Sequence, residues 1–188
     1  MARPKSEDKR DAILAAAIEV IAAQGLSAPT AQIARQAGVA NGTLFTYFET
    51  KAELWNALYV ELKTEMAKAA TGELVTHADD RERLWHGWSN WVRWATTAGP
   101  RRRALELLGT AEEITPLSRK LGHEAMTPFA ELVARCRAHG PLRDAPAAFV
   151  FALLNSAAEA TIGFLVAMPH DSDAITRQGF EAMWRMIA

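Results

Sequence analysis

The chain holds a single cysteine, Cys136, among its 188 residues. No internal disulfide and no multi-cysteine zinc site can form, which excludes a disulfide-stapled secreted scaffold and fits a reducing cytoplasm. A secretory signal is also missing its essential part: Met1 to Asp11 is charged throughout, and the apolar stretch that follows is interrupted by Glu19. Catalytic signatures are lacking as well. There is no phosphate-cradling glycine loop, no dinucleotide fingerprint and no Gly-x-Ser-x-Gly elbow, and His123-Glu124-Ala125-Met126-Thr127 begins like a zinc-protease motif without its second histidine. Neither enzyme activity nor a cofactor is expected. Internal repeats, low-complexity tracts and runs of alternating strand residues are absent too, so the pattern reads as all-α.

What is present is an ordinary globular composition, 49% hydrophobic and 23% charged, in a chain long enough for one domain or two small ones. The formal net charge of −1 conceals a small asymmetry. Residues 1–51 carry six Lys/Arg against five Asp/Glu, and four of the six, Arg3, Lys5, Lys9 and Arg10, form a short basic arm. One apolar run, 145–168, has Glu159 as its only charge and is long enough to span a bilayer. A central acid costs roughly 2.5–3.5 kcal/mol on insertion, and Asn155, Ser156, Thr161 and Gly163 dilute the run further. The expectation is therefore no membrane, but a helix buried on both faces, in a core that also meets a partner subunit.

The helical period predicts helices at about 8–24, 29–36 and 41–48, and a fourth that opens on the capping box Thr50-Lys51-Ala52-Glu53. Ile13, Ala17, Ile18 and Ile21 form the stripe of the first; Leu54, Trp55, Leu58, Leu62 and Met66 form that of the fourth. Beyond Thr71-Gly72, helices are predicted at about 80–97, 101–111, 115–138, 145–168 and 172–187, punctuated by Gly99-Pro100, Gly140-Pro141 and Pro169.

The tight Ala37-Gly38-Val39-Ala40 turn joins the second and third helices in the pattern of a helix-turn-helix. Such a turn needs a residue able to take a left-handed backbone, here Gly38, and apolar anchors on either side, here Ile33, Ala34, Val39 and Leu44. A locked angle leaves the outer face of 41–48 free to enter a major groove, carrying Asn41, Thr43, Phe45, Thr46 and Tyr47. Phe45 and Tyr47 could instead be core aromatics, but Leu44 and Phe48, four apart, already supply an inward pair. Arg35 is read as a solvated surface charge.

From Lys9 to about Tyr59, and above all from Ile33 to Phe48 followed by Lys51 and Leu54, the sequence resembles the N-terminal domain of TetR-type transcriptional regulators. The likeness in order and spacing is more specific than a generic helix-turn-helix. It implies a DNA-binding head over residues 1–50, a helical ligand-binding and dimerisation body over 51–188, and a ligand-released repressor of a palindromic operator. The resemblance further implies that Thr43, Tyr47 and Lys51 touch phosphates, that Asn41, Gly42, Phe45 and Thr46 lie nearest base edges, and that Thr30 joins the DNA side. Chemistry agrees with these roles. Lys51 stands in a first helical turn that already favours an anion. Asn41 could pair with an adenine edge, and the Phe45 ring could meet a thymine methyl. Two departures from the family pattern stand out. Phe45 lacks the hydroxyl of the usual tyrosine, and Ala40 stands where a serine usually caps the third helix. Asn41 either takes that cap or reads a base.

In the body, Trp85, Trp88, Trp91 and Trp94 recur every third residue and so fan around their helix. All four cannot face one core, and an aromatic-walled pocket with Trp88 and Trp91 is expected. Asn155 and Glu159, four apart on an apolar helix, are candidate ligand contacts, Glu159 for a cationic or hydrogen-bonding group. Cys136, His86 and His123 are read as core or surface residues. The expected partners are a double-stranded DNA operator, a second copy through about residues 145–187, and a small-molecule effector. Two rivals stay open: a regulator that activates or ignores ligands, and a helical protein-interaction module that makes no specific DNA contact.

Overall fold

Apolar residues at helical spacing and acids near the first turn start α1 (Lys5–Gln24), the first of ten α-helices among the described residues. The others are α2 (Thr30–Gln36), α3 (Asn41–Tyr47), α4 (Lys51–Thr71), α5 (Asp80–Thr97), α6 (Gly99–Gly109), α7 (Pro116–Ala125), α8 (Thr127–Cys136), α9 (Ala147–Ala167) and α10 (Ser172–Ile187). The computed structural model describes residues 5–72, 79–168, 170 and 172–188, with side chains from residue 7 onward at the N-terminus. Arg3 and the Lys5 side chain of the basic arm, and the Pro169 break, lie outside the described residues. No strand occurs among them, as the all-α expectation required.

Two boundaries differ from the sequence reading, and proline explains both. The helix expected over 115–138 is two helices, because Pro128 lies in the first turn of α8 after Met126, which sits at the N-cap. A proline there has no N–H to give the preceding turn and its ring crowds the carbonyl four residues back. Conversely, α6 begins at Gly99 rather than after Pro100, because a first-turn proline gives up only an N–H that has no helical partner.

The chain divides into two compact units, Met1–Thr64 with Ala98–Glu124, and Glu65–Thr97 with Ala125–Ala188. Helix α4 contributes to both. In the first unit, α1 packs on α2 and α6 around Ile13, Leu14, Ala17, Ile21, Ile33, Leu44, Phe48, Leu54, Trp55, Leu58, Ala104 and Leu108, all buried. The α6–α7 connection is tied to α4 by one side chain. Asn56 Nδ2 donates to the Glu113 carbonyl at 2.8 Å, and its Oδ1 accepts from the Thr115 N–H at 2.9 Å and the Thr115 hydroxyl at 3.1 Å. Arg119 donates to the Gly109 and Ala111 carbonyls, both at 2.9 Å. Beside it, burial pulls the Lys63 ammonium below its ordinary pKa and pushes the Tyr59 phenol above its own.

In the second unit, α5 packs against α8, α9 and α10. Trp88 is buried with its Nε1 donating to the Thr176 carbonyl at 3.0 Å, and Trp91 meets Phe129 edge-on at 6.4 Å between centroids. Asp79 caps α5, accepting from the Glu82 N–H at 2.8 Å. A forked pair from Arg135, 2.8 and 3.2 Å, holds the Asp80 carboxyl below the usual carboxylate range. Next to it, burial pushes the Cys136 thiol up to about 11. Helix α9 is by length and composition apolar enough to cross a bilayer. Here one face, Val150, Leu154, Ala158, Ile162 and Leu165, is buried, while Phe149, Phe164 and Val166 stand exposed on the single chain.

Gly87 marks a close approach of α5 to its neighbours within this unit. A Cβ there would lie 2.9 Å from the Ala70 carbonyl oxygen and 3.0 Å from the Phe129 ring. Because the first obstacle is backbone, Gly87→Ala is expected to destabilise the protein by about 1–3 kcal/mol in urea unfolding. An unchanged midpoint would show that α5 does not pack at this distance.

Candidate nucleic-acid interface

The turn between α2 and α3 closes with two hydrogen bonds that fix its shape. Val39 N–H donates to the Ala34 carbonyl at 3.0 Å, and Gly38 N–H to the Arg35 carbonyl at 3.2 Å. With Gly38 at φ +69° this is a Schellman motif, which satisfies the last carbonyls of α2 while turning the chain. Ile33, Ala34 and Leu44 are buried beneath it and Val39 packs against them. The sequence-predicted lock is therefore assembled from the expected residues.

The third helix then exposes one face. Asn41, Gly42, Phe45 and Thr46 are on the surface, Phe45 with 39% of its area accessible. A phenyl ring exposed on this face suits contact with a base edge or methyl group. Thr43 and Tyr47 are half-buried, and the Tyr47 ring leans on the head core. Leu44 and Phe48 point inward, as their spacing predicts. Ala40 occupies the N-cap without a side-chain bond, and Asn41 is the first residue of α3. The asparagine amide is thus not spent on capping. The Thr46 hydroxyl donates back to the Gly42 carbonyl at 3.2 Å, leaving its lone pairs outward. Thr30 begins α2, half-buried, after Pro29 at the N-cap.

At the start of α4 the capping box forms in a shifted version. The Thr50 hydroxyl accepts from the Glu53 N–H at 3.0 Å, while the Glu53 carboxylate reaches back to the Glu49 N–H at 2.7 Å. Lys51, in this turn, holds its ammonium 5.4 Å from the centre of the Trp55 ring. The contact holds the ammonium at the N-terminal end of α4, where the helix dipole favours an anion. The sequence reading missed a companion: Arg10 lies with its guanidinium 5.6 Å from the Phe48 ring and pairs with Glu61 at 3.6 Å. Its place in the basic arm was legible, its fixed position was not.

In the second unit the expected ligand residues separate. Trp88 and Trp91, expected at a pocket, are core side chains, because they lie on the face of α5 turned to its neighbours. Trp94 donates to Glu65 Oε1 at 3.0 Å. Asn155 and Glu159 lie on the exposed face of α9, and neither lines the cavity beside Trp85. That cavity, about 800 Å³, is bounded by α5 residues Trp85, His86, Arg93 and Thr97, by Leu165 and Val166 of α9, and by the first turns of α10. Trp85 is the tryptophan at its wall, and His86 belongs to it too. A sequence signal existed: Ser89, Arg93 and Thr97, four apart, form the polar face opposite Leu84, Trp88, Trp91 and Ala95.

A helix-turn-helix with an open third helix, followed by an all-α body, is the architecture of DNA-binding regulators of the helix-turn-helix class. Residues 13–58 match the family described as bacterial regulatory proteins, tetR family. Over these residues, about a quarter of the chain, the protein is similar to the TetR family. The fatty acid metabolism regulator protein of Bacillus subtilis (strain 168) is 34% identical over 73 residues, a match spanning only 38% of this chain and 38% of that protein. A TetR-family transcription regulator of Shewanella sp. PV-4 superposes with a TM-score of 0.84 at 26% identity, over 94% of this chain and 96% of its own. FadR of Bacillus subtilis in complex with stearoyl-CoA shares the fold, with a TM-score of 0.72 at 19% identity over 95% of this chain and 99% of that one.

Lys51, expected on the phosphate side, stands in the first turn of α4, so the cap of that turn is a sensitive point. Thr50→Ala is expected to cost about 1 kcal/mol of stability by urea unfolding, the typical loss for a hydroxyl cap. A loss below a few tenths would mean that Glu53 alone holds the turn.

Proposed function

We propose that the protein is a ligand-responsive transcriptional repressor that binds a near-palindromic operator as a homodimer in the cytoplasm. The observation that carries this reading is the exposed Asn41, Gly42, Phe45 and Thr46 face on a helix pinned by the Gly38 turn. In this reading the head of residues 1–50 reads DNA and residues 51–188 dimerise and take the effector. Phe149 and Phe164, exposed on α9 of a single chain, supply an apolar surface that a second copy would cover, pairing α9 and α10 with their equivalents in a four-helix bundle. Two α3 helices would then address successive major grooves about 34 Å apart.

Lys51, Thr43 and Tyr47 hold phosphates, with Thr30 at the start of α2 on the same side, and Asn41, Phe45 and Thr46 read bases. The effector acts by its difference in affinity between DNA-competent and DNA-incompetent dimers, with α4, which contributes to both units, as the carrier. The FadR complex with stearoyl-CoA, a protein of the same fold, supports a small-molecule effector.

Footprinting of the DNA upstream of the protein's own gene tests the reading, with a protected inverted repeat as the expected result and no protection anywhere as the contrary one. On the protected site, Lys51→Ala is expected to weaken binding by a similar factor on every sequence and to lower the salt slope by about 1. Asn41→Ala is expected to cost about 1–3 kcal/mol on the operator and to relax preference at one position per half-site. Anisotropy titrations against single-base operator variants read both effects, and the reverse pattern would exchange the two roles.

A further inference from the structure

The cavity beside Trp85 has a chemistry of its own. Most of its hydroxyl donors are already spent. Ser89 donates to the His86 carbonyl at 3.2 Å, Thr96 to Val92 at 2.9 Å, Thr97 to Arg93 at 2.7 Å and Thr176 to Ser172 at 2.6 Å. Besides the His86 ring, the strong donors left among the described lining residues are the guanidinium groups of Arg93 and Arg177. Neither is among the ion-paired arginines, in contrast to Arg81, Arg83 and Arg135 on the same unit. Arg177 is nonetheless held in place, its guanidinium 3.7 Å from the centre of the Trp85 ring. A planar fork stacked on an indole has already lost much of its rotamer freedom and keeps its N–H edge for a planar, two-oxygen acceptor.

Charge count narrows the ligand further. Among the described lining residues, Arg93 and Arg177 stand against one acid, Asp173. Two guanidinium groups with one carboxylate suit a single oxyanion better than a polyphosphate. The apolar part of the wall, the Trp85 indole with Leu165 and Val166, offers surface to an aromatic or branched aliphatic body. A volume of about 800 Å³ falls within the usual range for small-molecule sites.

We infer that this cavity binds a monocarboxylate with an aromatic or aliphatic body, its carboxylate between Arg93 and Arg177 and its body against Trp85, Leu165 and Val166. The sign is opposite to that of the cationic ligand expected beside Glu159, since Glu159 lies outside the lining. That such a molecule is also the effector rests on the ligand-responsive reading above; its binding does not.

Isothermal titration of the full chain with 1-naphthaleneacetate and with 1-naphthaleneacetamide, which differ at the charged group and little in shape, tests the site. The carboxylate is expected to bind about tenfold more tightly than the amide, the ratio that one charge-assisted hydrogen-bonded pair supplies. Replacing both exposed arginines, Arg93→Gln with Arg177→Gln, is expected to reduce that ratio to within about twofold, the loss of that pair. Equal affinity for acid and amide, a preference that survives the double substitution, or no binding of either compound at millimolar concentration would overturn the inference. Operator affinity measured on the same samples separates the two readings. Carboxylate binding that leaves DNA affinity unchanged counts against the effector role alone, and DNA release that persists in the double variant counts against the site.

Discussion

The structure depends on one turn of backbone. Because Gly38 takes φ +69° without a side-chain penalty, the N–H groups of Gly38 and Val39 can fold back onto α2 and close its last carbonyls. The direction of α3 is then set by hydrogen bonds and by the buried contacts of Ile33, Ala34 and Leu44, and not by any ligand. A recognition face that is already oriented binds without having to order itself, so the free energy of its contacts is available for choosing among sequences. The same logic extends to α4. There Thr50 and Glu53 fix the first turn, and Trp55 supports Lys51 at the helix end, where an anion is favoured.

The second unit follows a different constraint, the division of one helix between two surroundings. Helix α5 buries Leu84, Trp88, Trp91 and Ala95 and turns Trp85, His86, Ser89, Arg93 and Thr97 to a cavity. Large aromatic residues on one face give the packing its area, while the polar face need only be satisfied locally. Its hydroxyls achieve this by donating to carbonyls of the same helix. Two guanidinium groups are left with charge unspent, and this gives the cavity a sign. A helix built in this way can serve stability and recognition together because the two demands fall on different sides of its axis.

Much of this was legible in the sequence. The helical period located the elements, the Ala37-Gly38-Val39-Ala40 stretch located the turn, and Thr50-Lys51-Ala52-Glu53 located a cap, since each is a local signal whose physics acts within four residues. Pro128 was equally local but was read through as helix interior, although a proline in a first turn marks a beginning. The ligand side was less legible for a physical reason. Three-residue spacing shows that four tryptophans fan out, but not which of them meets a neighbouring helix, and this is decided by the placement of α8, α9 and α10 around α5. Asn56 is the same case: nothing near it in sequence announces the Glu113 and Thr115 groups that it joins, some sixty residues away. Roles that depend on distant partners need the fold before they can be assigned.

The account turns on a pre-oriented α3 reading base edges, and the most direct measurement is the ratio of two affinities in one buffer. Titrating the full chain by fluorescence anisotropy against its operator and a scrambled duplex of equal length and composition, at fixed physiological salt, should give a ratio of about a thousandfold or more. Equal affinities that fall together as salt is raised would mean that the protein senses phosphate charge alone and that the face of α3 reads nothing.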